Sequence, residues 1–198
     1  GFGLLRPPGH HAEKSQALGF CLFNNIAIGT RYAQKTYGVK RVLIVDWDVH
    51  HGNGTQHAFE DDPDVFYFSA HQYPYYPGSG HPWEKGVGAG YGKTLNLAMP
   101  AGTTEREYLE AFENDFFPLA GEFKPELVLI SAGFDAHRDD PLAGLNLTET
   151  AYRVMTEKLK EIAKGSANER IVSLLEGGYN FTALARSIEA HLRALAAP

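Results

Sequence analysis

Residues Asp46-Trp47-Asp48-Val49-His50-His51-Gly52 place two carboxylates and an imidazole at every second position, directly after the apolar run of residues 41–45. Side chains on extended backbone alternate faces, so Asp46, Asp48 and His50 would point one way and Trp47 and Val49 the other. Two carboxylates crowded at the end of a buried strand repel each other and are costly to desolvate. A cation removes that cost. Asp and His are both suitable zinc ligands, and a third protein ligand leaves one position open. Asp135, beyond the apolar run 127–131, is the best candidate for that third ligand. Asp139 and Asp140 precede Pro141 and read instead as turn and capping residues. For a lone Asp-x-His the plainer reading is a capped turn beside a satisfied histidine. The company of other polar strand ends favours the metal.

Two further constellations carry polar chemistry. In Arg6-Pro7-Pro8-Gly9-His10-His11-Ala12, two prolines and a glycine stiffen a turn, which could hold adjacent histidines toward one cleft. A histidine beside an activated water can take its proton and later give it to a leaving amine. In Leu175-Glu176-Gly177-Gly178-Tyr179-Asn180, paired glycines permit close backbone approach, and Tyr179 offers a phenol that can stabilise an oxyanion. Taken singly, a surface His-His pair and a core tyrosine are the commoner explanations.

Positioning these groups requires a regular scaffold. Continuous apolar runs at 41–45, 64–69, 94–98, 127–131 and 171–175 read as strands buried on both faces. Helical periodicity covers 23–37, 105–121, 148–164 and 181–195, with Thr148 opening the third helix and Gly165 closing it. The alternation predicts an α/β fold with a mostly parallel sheet. No repeat or linker divides the chain, so residues 1–198 read as one catalytic domain. The Gly/Pro/aromatic stretch 71–93 reads as a long functional loop. Polar groups follow four strands: Asp46 to His50, Ser69 with His71, Asp135, and Tyr179. Ligands of parallel α/β sheets bind at that end.

Composition narrows the classes. Of 198 residues, 43% are hydrophobic and 12% aromatic, enough for a packed core. The net charge of −6 argues against direct nucleic-acid binding. The single cysteine, Cys21, excludes an internal disulfide and cysteine-pair zinc sites, and reads as a small buried side chain. No apolar stretch is long enough to span a membrane, and the N-terminal residues lack the features of a signal peptide. A cytoplasmic location is therefore expected, or a nuclear one in a eukaryote. With no initiator methionine, the chain is expected to begin inside a longer protein.

Arg-Pro-Pro-Gly-His-His-Ala, Asp-Trp-Asp-Val-His-His-Gly-Asn-Gly-Thr, Gly-Phe-Asp-Ala-His-Arg-Asp-Asp-Pro-Leu and Leu-Glu-Gly-Gly-Tyr-Asn occur in that order across nearly the whole chain. Together they resemble the histone deacetylase superfamily, in its class II branch and the bacterial amidohydrolase-like relatives. The resemblance implies an arginase-like three-layer α/β fold with an eight-stranded parallel sheet. It also implies zinc-dependent hydrolysis of acetyl-lysine, in protein or peptide, or of a related acetylated amine.

Site roles follow from the resemblance. Asp48, His50 and Asp135 are similar to the zinc ligands. His11 is similar to the general base and acid, and His10 to its electrostatic partner. Asp46 resembles the residue that bonds the first histidine and, with Ser69, helps bind a structural monovalent cation, expected to be potassium. Asn53 falls where class II members orient the second histidine with an amide. Tyr179 resembles the oxyanion donor. Phe20 and Tyr76, with Gly19 and Gly178, resemble the walls of an acyl-lysine tunnel, and Leu142 an aliphatic residue at its rim. The apolar Leu142 argues against a polyamine preference.

Family domains are longer, and this chain starts close to the tandem histidines. The first family strands are therefore expected to be missing, as is the loop whose acidic residue grips the substrate backbone. An exposed sheet edge and weaker stability or activity would follow. Two alternatives stand beside the deacetylase reading. A binuclear manganese ureohydrolase would need Asp-x-Asp where Asp135-Ala136-His137 stands. A catalytically weak acyl-lysine binding module would not need intact tandem histidines and Tyr179. His57, His81, His137 and His191 are given no functional role.

Overall fold

The computed structural model describes residues 1–197. Six parallel strands form one sheet: β1 (Phe2–Gly3), β2 (Val42–Asp46), β3 (Val65–Gln72), β4 (Thr94–Met99), β5 (Leu127–Ala132) and β6 (Ile171–Leu175). Their order is β1-β6-β5-β2-β3-β4. Helices α1 (Asn25–Tyr37), α2 (Asn53–Phe59), α3 (Glu105–Ala111), α4 (Phe117–Phe123), α5 (Glu149–Ser166) and α6 (Phe181–Ala196) accompany it. The α/β architecture is the expected one, with six strands described where the resemblance implies eight.

Strand alternation explains the two cores. Leu43, Val45, Phe66, Phe68, Val128 and Ile130 face one way and pack with Phe112, Phe116, Tyr152 and Met155. Val42, Ile44, Val65, Tyr67 and Leu129 face the other way, onto Ile26, Ala33 and Phe59. Both faces exclude water, so the strands read as unbroken apolar runs. Asp46 continues the face of Val42 and Ile44. Ladder register sets it between Ser69 of β3 and Ser131 of β5.

From β2 the chain runs outward through β3 and β4, then returns to β5 on the other side of β2. That reversal leaves a crevice beyond the carboxyl ends of β2 and β5, the preferred ligand position in open α/β sheets.

Several elements depart from expectation. The α5 helix passes through Gly165 to Ser166, and the Ala167 N–H still bonds the Ala163 carbonyl. Thr148 caps it as expected, accepting from the Thr150 N–H. The helix foreseen at 105–121 contains a π-turn at Phe112–Phe116 and continues to Phe123. Pro118 explains the break: it has no N–H for the carbonyl four residues back, and its ring crowds that carbonyl. Neither β1 nor α2 was expected. β1 is too short for a periodic signal, and α2 opens with Asn53-Gly54-Thr55, all poor helix formers. β1 gives the sheet a two-residue edge strand. Beside it, an open apolar groove of about 920 Å³ lies between α1 and the β5–β6 face. No described helix is long and apolar enough to cross a membrane.

Candidate metal centre and active site

Asp48, His50 and Asp135 each direct a ligand atom to one point, all within 4.8 Å of one another. β2 ends at Asp46, so Asp48 and His50 stand on bent backbone beyond it. The alternation survives nonetheless, because Trp47 and Val49 are sunk in the core on the opposite side. His50 Nδ1 lies 3.0 Å from Asp48 Oδ1 and 3.2 Å from Asp135 Oδ2. One ring N–H cannot serve two carboxylates. Asp135 Oδ2 is left buried without a hydrogen-bond partner. The remaining oxygens are satisfied by backbone: Val49 N–H donates to Asp135 Oδ1 at 2.9 Å and Gly177 N–H to Asp48 Oδ2 at 2.8 Å.

The electrostatics show the same strain. Burial works against charge on His50, but the adjoining carboxylates of Asp135 and Asp48 raise its pKa to about 11. Burial and the neighbouring Asp48 push Asp135 up to about 7. Burial opposes ionisation of Asp48 too, yet His10 and His50 hold it below the usual carboxylate range. Two buried carboxylates share one imidazole, and the nearer one is better served. An orphaned carboxylate oxygen and a nitrogen-and-oxygen donor set fit a divalent cation, zinc included.

Gly177 makes this geometry possible. A Cβ there would stand 2.2 Å from Asp135 Oδ2 and 2.6 Å from Asp48 Oδ2. The glycine thus admits the two carboxylates themselves to the backbone.

Asp46 takes no part in the triad. Its Oδ2 lies 2.9 Å from His10 Nδ1 and accepts the Tyr67 hydroxyl at 3.2 Å, while Oδ1 accepts the Asp48 N–H. Although burial opposes charging, Asp46 and Asp48 lift His10 to about 10. His11 lies beside it, the rings tilted by 40° with centroids 4.0 Å apart. Burial and then the charge on His10 depress His11 to about 3. His11 Nδ1 is 2.8 Å from Asn53 Oδ1. The histidine loop is not held by Pro7, Pro8 and Gly9 alone, as the sequence suggested. Glu176 Oε2 accepts the N–H groups of Gly9 and His10 from across the sheet, at 2.6 and 3.2 Å. Ser131 donates to Glu176 Oε1 at 3.0 Å.

Tyr179 follows Gly177 and Gly178 on the segment that abuts the triad. Burial, followed by Asp48 and Asp135, raises its phenol well above the ordinary range, so it stays a proton donor. Asp140, a turn residue as expected, fixes it: Oδ2 accepts the Tyr179 N–H at 2.7 Å and Oδ1 the Leu142 N–H at 3.0 Å. The Phe20 ring lies 6.3 Å from Tyr179 and Tyr76 meets His11 edge-on at 5.2 Å. Phe20, Tyr76 and Leu142 are all exposed. Gly19 is held at φ +52, and a Cβ there would meet the His11 ring at 2.2 Å. At Gly178, φ is +135 and a Cβ would meet Leu184.

Ser69 is buried opposite Asp46, with its hydroxyl 2.9 Å from His71 Nδ1. The side-chain oxygens of Asp46 and Ser69 are thus already engaged by protein groups, and they give the monovalent-cation expectation no support of their own.

Sequence reasoning missed Glu176, Tyr67 and Tyr75. Tyr75 stacks on His50 with centroids 5.6 Å apart, and its hydroxyl donates to the Leu142 carbonyl. The only signals available were a carboxylate directly after a buried strand and the Tyr75-Tyr76 pair in the long loop.

The model of the histone deacetylase domain matches residues 1–195. Histone deacetylase 14, chloroplastic, of Arabidopsis thaliana is 48% identical over 98% of this chain and 46% of its own length. Histone deacetylase 9 of Homo sapiens is 46% identical over 98% of this chain and 20% of its own. The crystal structure of the HDA15 HD domain superposes with a TM-score of 0.93 at 43% identity, covering 98% of this chain and 54% of that one. The chain spans about half, or less, of the length of these relatives.

Proposed function

The chain belongs to the histone deacetylase domain family, with class II-like character, and from that membership we propose that it is a zinc-dependent deacetylase. Its substrate would be the amide of acetyl-lysine in a protein or peptide, or a related acetylated amine. The observation that carries the proposal is the buried Asp48, His50 and Asp135 group with its unpartnered carboxylate oxygen. Asp48, His50 and Asp135 would hold the ion. Zinc so held would supply Lewis acidity toward the acyl carbonyl and the attacking water.

The chain's own groups would do the remaining work. His11, neutral beside the charged His10, takes the proton of the attacking water. The hydroxyl oxygen joins the acyl carbon, and the Tyr179 phenol donates a hydrogen bond to the oxyanion. The carbon–nitrogen bond breaks, His11 returns the proton to the leaving nitrogen, and free amine and acetate result. Phe20 and Tyr76 would flank the apolar stem of a lysine while the triad meets only the acyl end.

Among the described residues one such group of metal-ligating side chains is found, which favours one ion over the two of a ureohydrolase. The test is acetate release from an acetyl-lysine peptide by the zinc-loaded full-length protein. Activity lost in His11→Ala with zinc still bound supports the proposal. No turnover by well-folded, zinc-replete protein would leave an acyl-lysine binding module as the better reading.

A further inference from the structure

Beyond His11, the hydrogen bonds continue outward to a residue that none of the motif readings used. Asn53 Nδ2 donates to Glu13 Oε1 at 2.6 Å and lies 3.4 Å from the His11 carbonyl. The same Glu13 oxygen is 2.8 Å from Nδ1 of the half-exposed His57. We propose that Glu13 is a positioning residue that fixes the Asn53 amide and, through it, the tautomer of His11. The proposal deepens the deacetylase reading and, for its effect on turnover, rests on it.

The argument is one of donors and acceptors. An ionised carboxylate can only accept hydrogen bonds, and so can a backbone carbonyl. Both acceptors that face Asn53 therefore demand its NH₂ group. The amide has one other end, so Oδ1 must face His11, where it stands 2.8 Å from Nδ1. An amide oxygen cannot donate, so Nδ1 must carry the ring proton. Nε2 is then left with its lone pair, the form a general base requires. Without Glu13 the amide could turn over and present NH₂ to Nδ1. That would favour the opposite tautomer, with the proton on Nε2 and the base blocked. Asn53 is buried in α2 and has no other charged partner to hold it.

The test uses full-length protein with ¹⁵N-labelled histidine. Two variants remove the acceptor, Glu13→Ala and the size-matched Glu13→Met, which keeps the packing if alanine unfolds. Glu13→Gln can still accept through its amide oxygen. Histidine ring ¹⁵N spectra of the wild type should show His11 protonated at Nδ1, retained in Glu13→Gln and lost to a mixture or to the Nε2–H form in Glu13→Met. On an acetyl-lysine peptide, kcat should fall about tenfold in Glu13→Met, with KM little changed, and recover in Glu13→Gln. A wild-type Nδ1–H tautomer that persists in Glu13→Met, with kcat unchanged, would overturn the proposal. The spectra need no turnover. A tautomer change in protein without deacetylase activity would therefore sink the deacetylase reading alone.

Discussion

Glu176, at the end of β6, reaches the N–H groups of Gly9 and His10, residues 167 and 166 positions away in the chain. The carboxylate is buried, and burial pushes its pKa up to about 7 against the pull of His10. It therefore joins the histidine loop to the sheet that carries the metal triad. Glu176→Ala would leave two buried N–H groups without acceptors, at a cost of about 3 kcal/mol. For a chain of this size that is a fall in Tm of roughly 6–12 °C. Glu176→Gln keeps an acceptor and should lose much less. Thermal melts of the two variants check the ordering.

The triad should bind one zinc per chain. Asp135→Asn or His50→Ala removes a ligand and should abolish stoichiometric binding, as read by metal analysis after dialysis. Chelation of the wild type should lower Tm, because a ligand bound only by the native state stabilises it by mass action. Full zinc retention by both variants would refute this assignment.

Gly177→Ala tests the approach of the carboxylates to the backbone. The added methyl would fall 2.2 Å from Asp135 Oδ2, so one ligand must move. Zinc affinity should drop at least about tenfold. Isothermal titration of the apo variant reports it, and unchanged affinity would mean that the site relaxes without cost.

Tyr179→Phe removes a phenol but keeps the ring beside Phe20. If the phenol serves the oxyanion, kcat should fall about 10²- to 10³-fold with zinc binding intact. Steady-state kinetics alongside metal content separates the two effects.

His191 predicts a pH dependence of stability away from the site. It is fully buried, with Nδ1 2.7 Å from Thr156 Oγ1 and Nε2 2.9 Å from Ser173 Oγ. Burial lowers its pKa from 6.5 to about 4. The unfolded chain then binds the extra proton between those values, so stability rises with pH across the window. The contribution is complete above pH 6.5 and lost as pH falls toward 4, on the order of 3 kcal/mol in all. Urea unfolding at pH 7.5 and 4.5 should show a larger loss for the wild type than for His191→Gln. Equal losses would mean that His191 carries no such linkage.

The scaffold was legible to the extent that single strands and helices announce themselves. Five of the six strands fall where continuous apolar runs stand, because β2, β3 and β5 are covered on both faces and carry their polar residues only in their carboxyl-terminal halves. Where local pattern gives no signal, reading fails. Two-residue β1 has no period, α2 opens against its own propensities, and Gly165 sits in a helix whose packing outweighs its cost. Pro118 could have located the π-turn, since its missing N–H is visible in any sequence.

Which side chains can bind a metal, move a proton or donate to an oxyanion was legible in the linear chain. Those are properties of residue type, and Asp48, His50, Asp135, His11 and Tyr179 stand in short motifs that show them. It took the folded chain to reveal that Glu176 holds the histidine loop and that Glu13 reaches Asn53. These are contacts between segments far apart in the chain. Strand order and register create them, and no local spacing encodes which distant carboxylate will face which donor.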